Sequence, residues 1–210
     1  MNMKKVSLFL TVVLLGTIAC SAQDISLPAP EKTGGKTILE TLWNRASGTE
    51  FSSRMLSDQD LSNLLFSAIG VNRENGKLTS PTASNHQEIR VFVFTEKGVC
   101  EYLNESNVLH PVVSGDHRDI IAGRQGWVKT APVVLLIVAD GKKFGGDDER
   151  SRLVMGVDAG IVSENVNMFC ASMGWVTRPR MSMDTPAVKE LLGLDDTQYP
   201  LLNNPVGYAK

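Results

Sequence analysis

Ser80-Pro81-Thr82-Ala83-Ser84-Asn85-His86-Gln87, running on into Glu88-Ile89-Arg90-Val91-Phe92-Val93-Phe94, changes character halfway along. Its first part is small and polar. Pro81 fixes one φ angle, and the hydroxyl and amide side chains offer short-reach hydrogen bonds. Its second part alternates and is rich in β-branched and aromatic residues. Ile89, Val91 and Val93 fall on one face and Arg90, Phe92 and Phe94 on the other, which predicts a strand. A rigid polar loop feeding a core strand suits a planar polar ligand. Taken alone, the same residues also fit a plain turn before a strand.

On the N-terminal side, Thr37 to Arg45 predicts a short helix with Ile38, Leu39, Leu42 and Trp43 on one face. Ser57 ahead of Asp58-Gln59-Asp60 reads as an N-cap with an acidic first turn. The helix it opens carries Leu61, Leu64, Leu65, Ala68 and Ile69 and ends near Gly70. On the C-terminal side, Glu96-Lys97-Gly98 is turn-like, so Gly98 to Leu103 is expected to pair with the loop's strand as a hairpin. Glu105 to Ser114 extends the meander, and His117 to Gly126 predicts a helix. Pro132 to Ala139 is an unbroken apolar run, as expected for a strand covered on both faces.

Asp147 to Met173 is the longest helical pattern, with acids at its favourable N-terminal end and Gly174 as a stop. Gly156 and Gly160, one turn apart, leave a flat strip where another backbone can come close, inside the core or in a dimer. Trp175 to Met183 reads as a strand, Pro186 to Leu192 as a short helix closed by Gly193, and Tyr199 to Tyr208 as extended chain. Helices and strands intermix without a regular βαβ repeat, so the fold class is α+β.

The 210 residues suffice for one domain with a real core. A formal net charge of −2, with no basic stripe, argues against nucleic acid as the main partner. Residues 1–22 read as an export signal: Lys4 and Lys5, an apolar run from Val6 to Ile18, then small residues. The run is short for a membrane span. Gly16-Thr17-Ile18-Ala19-Cys20 also resembles a bacterial lipobox without its usual Leu, so cleavage after Ala22 and lipidation of Cys20 are both open. Either way the protein is expected outside the cytoplasm, periplasmic or anchored in a bacterial envelope. Residues 23–36, with Pro28, Pro30, Gly34 and Gly35, read as a flexible tether, and 37–210 as the folded domain.

Local motifs exclude several chemistries. Gly35-Lys36-Thr37 mimics the end of a P-loop, but the required first glycine is replaced by Pro30 and no strand precedes it. There is no C-x-x-C and no His/Cys cluster, so no zinc site is expected. Cys100 and Cys170 read first as two buried free thiols, with a disulfide between them left open. His117 sits in a charged helix start, and His86 has no evident acidic or metal partner. No spacing yields a catalytic constellation, so if the protein is an enzyme a cofactor carries the reaction.

Taken in order, several of these segments resemble the nitroreductase-like flavoproteins. Arg45-Ala46-Ser47-x-Thr49-x-Phe51 resembles the opening Arg-x-Ser-x-(Arg/Lys)-x-Phe signature, and Pro81 to Gln87 resembles the Pro-Ser-Ser-x-Asn-x-Gln loop. Ala131-Pro132 before the apolar strand, Asp158-Ala159-Gly160 in the long helix and Pro205-Val206-Gly207-Tyr208 continue the likeness over Ile38 to Tyr208. The branch with peptide-azoline dehydrogenases and bacterial nitroreductase homologues is the most similar. The resemblance implies a mainly antiparallel central sheet flanked by helices, bound FMN, a homodimer, and a site at its interface. By motif, Arg45, Ala46 and Ser47 would reach the ribityl-phosphate, and Thr49 the pyrimidine end of the flavin. Pro81, Thr82, Ala83 and Asn85 would approach the same FMN from the other subunit. Arg124 and Gln125 are candidates for the ring, and the segment Arg180-Met181-Ser182 for flavin N5.

The implied function is hydride transfer to or from a small organic substrate such as a quinone or nitroaromatic. Arg45 can fork onto phosphate oxygens, and donors near the flavin N1/O2 edge stabilise its reduced anion. Two departures stand out. Thr49 occupies a position that is usually basic, and few residues follow Tyr208, so Arg45, Arg178 or Arg180 would serve the phosphate. Export also separates the protein from cytoplasmic NAD(P)H, the family's usual donor. A flavin- or ligand-binding envelope protein without turnover is therefore the alternative expectation.

Overall fold

The unbroken apolar run becomes the middle of a seven-stranded sheet in the computed structural model, which describes residues 23–210. The export signal and Cys20 lie outside the described residues. The strands are Ile25–Ser26 (β1), Ile89–Phe94 (β2), Gly98–Leu103 (β3), Val108–Ser114 (β4), Val133–Asp140 (β5), Trp175–Thr177 (β6) and Gln198–Tyr208 (β7). Their order is β1-β4-β3-β2-β5-β7-β6, and every pairing is antiparallel. Both edges are very short strands, which limits the unpaired backbone offered to another sheet.

β5 is buried from Val133 to Ala139, with both faces covered. Val133, Leu135, Ile137 and Ala139 join one core cluster, and Val134, Leu136 and Val138 the other. β2 follows the predicted alternation, with Ile89, Val91 and Val93 in the first core and Phe92 and Phe94 in the second. Arg90 is held on that second face by a two-pronged pair with Glu101 of β3, at 2.6 and 2.8 Å.

The helices are Ile38–Asn44 (α1), Asp58–Ile69 (α2), Arg118–Ala122 (α3), Gly141–Phe144 (α4), Glu149–Met173 (α5) and Thr185–Leu192 (α6). α2 and α5 supply the first core through Leu64, Leu65, Ala68, Met155, Ala159, Val162 and Val166. α3 and α6 supply the second through Ile121, Ala122 and Val188. Sequence-visible caps fix the ends. Ser57 opens α2, Asp148 accepts the Ser151 N–H at 2.7 Å to open α5, and Gly174, at φ 71°, closes it.

Four expectations are corrected. Residues 23–36 are not a loose tether: β1 pairs with β4, Leu27 is buried, and Glu31 and Asn63 exchange hydrogen bonds at 2.8 and 2.9 Å. The strand expected over 175–183 stops at Thr177, and only Arg180 regains a bridge, to Asn203. A Cβ on Gly156 or Gly160 would meet no atom within 4 Å, so no backbone among the described residues packs there. Cys170 is buried as a free thiol, but Cys100 is only half-buried.

Asn107 is the main peg for the N-terminal segment. It adopts a left-handed φ of 53°, which asparagine tolerates. Its amide N–H donates to the Pro28 carbonyl at 2.8 Å and the Ser62 hydroxyl at 3.2 Å, while its carbonyl accepts from Tyr102 Oη at 2.9 Å. Asn107→Ala strands these groups, so a loss of about 1–3 kcal/mol in urea unfolding is expected. Limited proteolysis should then cut the variant first within residues 24–36. An unchanged cleavage pattern would mean that the segment is not held by this peg.

Candidate functional site

Each sequence-predicted site segment is tied to the interior by a few contacts. The loop of residues 80–88 is held by a bond to α2 and by one within itself. The Ser80 hydroxyl donates to the Ala68 carbonyl at 2.8 Å, and the Gln87 N–H donates to the Thr82 hydroxyl at 2.8 Å. Ser84, Asn85 and Gln87 adopt left-handed φ values of 50°, 59° and 52°, costly for non-glycine residues unless their surroundings hold them. The hold comes from α5, where Asp158 accepts the Ala83 N–H at 2.9 Å. Pro81 and Asn85 are left exposed, and Thr82 and Ala83 half-buried.

The second segment leaves α1 at Arg45, whose backbone N–H closes the helix on Thr41. Arg45, Ala46 and Ser47 are exposed, and Thr49 is half-buried. The Gly48 N–H donates to the Thr177 carbonyl of β6 at 3.1 Å. The approach leaves no room for a side chain, because a Cβ on Gly48 would lie 2.7 Å from Val176 Cγ1. Phe51 then enters the second core. Ala46, Ser47 and Gly48 line a cleft of about 310 Å³ with Trp175 and Val176.

The third segment is organised by Arg180, which is 6% exposed. Its guanidinium donates to Asn203 Oδ1 at 2.6 Å, Gln125 Oε1 at 3.1 Å and the carbonyls of Ile121 and Ala122 at 3.2 and 3.3 Å. It also lies over the Trp127 ring. Burial, then the neighbouring Arg178, pull its pKa down. Asn203 in turn donates from its amide to the Ser182 carbonyl at 3.2 Å. One buried cation therefore fixes the Ala122–Gln125 turn against the 180–182 segment. Between them opens a cleft of about 650 Å³, lined by Arg124, Gln125, Ser182, Met183 and Asp184 among others. Met181, beside it, is exposed.

Within one chain, Arg124, Gln125 and Ser182 come together, and Ala46 and Ser47 line a different cleft. Residues 81–85 line neither. The guanidinium groups of Arg45 and Arg124 have no hydrogen-bonding or ionic partner among the described residues. Unpaired cations and exposed loop amides suit an anionic, planar, electron-rich ligand.

Sequence reading offered Arg180 for the phosphate, but its guanidinium is taken up by interior acceptors, and neither Arg180 nor Asn203 was read as a side-chain anchor. The one signal was Asn203-Asn204 inside an otherwise apolar strand, since buried amides require partners. Asn204 satisfies that need elsewhere, accepting from Ser163 and donating to Asn167 of α5. Glu88 drew no assignment from the sequence, yet it is fully buried.

Residues 43–208 match the family described as "Nitroreductase family". A Methanocaldococcus jannaschii protein named "Putative nitroreductase MJ1384" is 28% identical over 197 residues, covering 88% of this chain and 96% of the relative. A crystal structure titled as a "putative nitroreductase" from Ralstonia eutropha superposes with a TM-score of 0.84 at 29% identity, over 100% of this chain and 99% of that one. The Vibrio harveyi NADPH:FMN oxidoreductase, solved with NAD+, shares the fold at a TM-score of 0.63 and 19% identity, over 82% of this chain and 69% of that one. The matched span takes in the Arg45, Pro81, Arg124 and Met181 segments alike, and the chain belongs to the nitroreductase family.

Proposed function

We propose that the chain is an FMN-dependent oxidoreductase that works as a homodimer on a small organic substrate such as a quinone or a nitroaromatic compound. One observation carries the reading: every predicted flavin segment is bordered by large apolar side chains left in solvent. Ile38, Leu39, Leu42 and Trp43 of α1, just before Arg45, are 55–89% exposed. Leu153 and Val157 of α5, beside the Asp158 anchor, are 69% and 57% exposed, and Met181 is 75% exposed. The open strip at Gly156 and Gly160 lies on the same helix. Burying one large apolar side chain contributes roughly 1.5–3 kcal/mol, so this surface favours a second copy of the chain.

The residues fit FMN. The exposed charge of Arg45 suits a phosphate, the amides and hydroxyls of residues 82–85 suit the ribityl and pyrimidine edges, and Arg124 and Gln125 offer donors to the ring. The close backbone contact at Gly48 leaves Ala46 and Ser47 facing outward as a cradle. When bound, FMN supplies hydride transfer at N5. The chain's part is to hold it, to place the Met181–Ser182 backbone near N5 through the Arg180 clamp, and to keep water off the reacting face.

Export, inferred from residues 1–22, would place the protein in a bacterial envelope, with Cys20 as a lipid attachment point. NADH or NADPH would serve as donor only where the protein meets them, and an envelope electron carrier is the other source. Thr49 favours a second reading, a flavin-binding envelope protein without turnover. A neutral hydroxyl there stabilises reduced flavin less than a cation does.

Protein produced from Gln23 onward and loaded with FMN should keep flavin absorbance through gel filtration, and a hydride donor should bleach it. Bound flavin that no donor reduces would select the binding protein over the enzyme. A protein that stays colourless would remove the cofactor reading itself. Arg45→Ala is expected to weaken FMN binding by tenfold or more in a fluorescence titration, because a charge-assisted contact is lost. Val157→Glu places a charge on the exposed α5 stripe. It should convert the dimer to a monomer in sedimentation velocity and weaken FMN binding with it. A monomeric wild-type protein would defeat the interface assignment.

A further inference from the structure

Glu88, the last residue of the loop, has no exposed surface. Among the described residues, neither of its carboxyl oxygens has a donor. It faces the carboxyl of Asp158 on α5. Asp158 is itself only 4% exposed and accepts the Ala83 N–H at 2.9 Å. Two ionised carboxylates cannot share such a site, whereas one proton between them turns repulsion into a hydrogen bond.

The surroundings do not neutralise the pair. Lys143 of α4 is the cation acting on Glu88. Asp140 at the end of β5 donates its backbone N–H to the Glu88 carbonyl at 3.0 Å. Its carboxylate is taken up by the backbone N–H groups of Lys142 and Lys143 and by Gln198. His86 is turned against the Phe144 ring. Burial first, helped by Asp158, pushes Glu88 up to about 7, against the opposing pull of its own backbone N–H and of Lys143.

We propose that Glu88 is a positioning residue for the flavin loop: protonated, it donates to the carboxyl of Asp158, which keeps its hold on the Ala83 N–H. The link to flavin rests on the FMN reading above, but the clamp itself does not. The left-handed run Ser84, Asn85 and Gln87 is supported by that hold together with the Gln87 hydrogen bonds, since only Asn85 tolerates such a φ by itself. Loss of the proton sets two negative charges behind the loop and releases it.

The sign follows from linkage. The folded state raises Glu88 from 4.5 to about 7, so it binds the proton more tightly than the unfolded chain does. The associated stability is complete below the unfolded value, declines as pH rises through that window, and is gone above about 7. FMN affinity should fall as pH passes about 7, because the folded protein loses the clamp there.

The test is the pH dependence of the thermal midpoint and of the FMN dissociation constant, for wild type and Glu88→Gln. The glutamine can donate to Asp158 but does not titrate. It should flatten the decline in midpoint and remove the pH step in FMN affinity, which a role in packing alone would not do. Identical pH profiles in the two proteins overturn the proposal. A midpoint slope lost in the variant, with FMN binding to neither protein, supports the clamp and overturns the flavin reading alone. Should Glu88→Gln not fold, infrared spectroscopy of the wild type decides. A protonated-carboxyl C=O band at about pH 6 that vanishes through about 7 supports the shared proton. Its absence at about pH 6 refutes it.

Discussion

A strand with no polar side chain before its last residue cannot sit at a surface. β5 is that strand, and the rest of the molecule follows from covering it twice. One cover is α5 with α2, and the other is α3 with α6. Sheets buried on both faces are usual for parallel βαβ proteins, whereas this one is antiparallel throughout. Its helices therefore arrive from separate parts of the chain, and the connecting segments are free to become loops at the sheet's ends. Those loops hold the candidate flavin residues. The core needs only one stripe of α5, so the opposite stripe, with Leu153, Val157 and the two open glycines, is left exposed.

Such a core makes every buried polar group expensive unless it is partnered. Arg180 spreads its charge over two side-chain oxygens and two carbonyls, joining α3, the following turn and β7 in one step. Arg118 does the same at the other end of α3, pairing with Asp116 and donating to the Ala131 carbonyl at 2.8 Å. α3 is too short to be stable by itself, and these two cations hold it more firmly than its own hydrogen bonds can.

Residues with strong local signals were legible in the sequence. The alternation of 89–94, the run of 133–139 and the caps at Ser57, Asp148 and Gly174 all report nearest-neighbour physics, and the structure follows them. Segments decided by distant partners were not legible. Residues 24–36 look like a linker because their prolines and glycines suppress regular structure, yet Asn63 and Asn107 capture them from afar. Residues 178–183 look extended, but the buried Arg180 bends the chain toward Gln125. The site was legible as a set of motifs that share a family. Its anchors were not, because the roles of Asp158 and Arg180 become visible only once Ala83 and Gln125 are beside them.

The three site segments share a further property. Each touches the rigid interior at one main anchor: Gly48 at Thr177, Ala83 at Asp158, Gln125 at Arg180. A ligand held by such segments is positioned by the anchors more than by the side chains that touch it, since a small displacement at a contact atom is enough to lose most of its effect. The anchors also differ in kind. The first is a neutral backbone bond and the third a permanently charged guanidinium, so neither changes with conditions. Only the second involves a carboxylate beside a buried acid, and it supports the loop whose own backbone is most strained. The adjustable part of the site is therefore behind the Pro81–Asn85 loop, away from the surface where substrate would arrive.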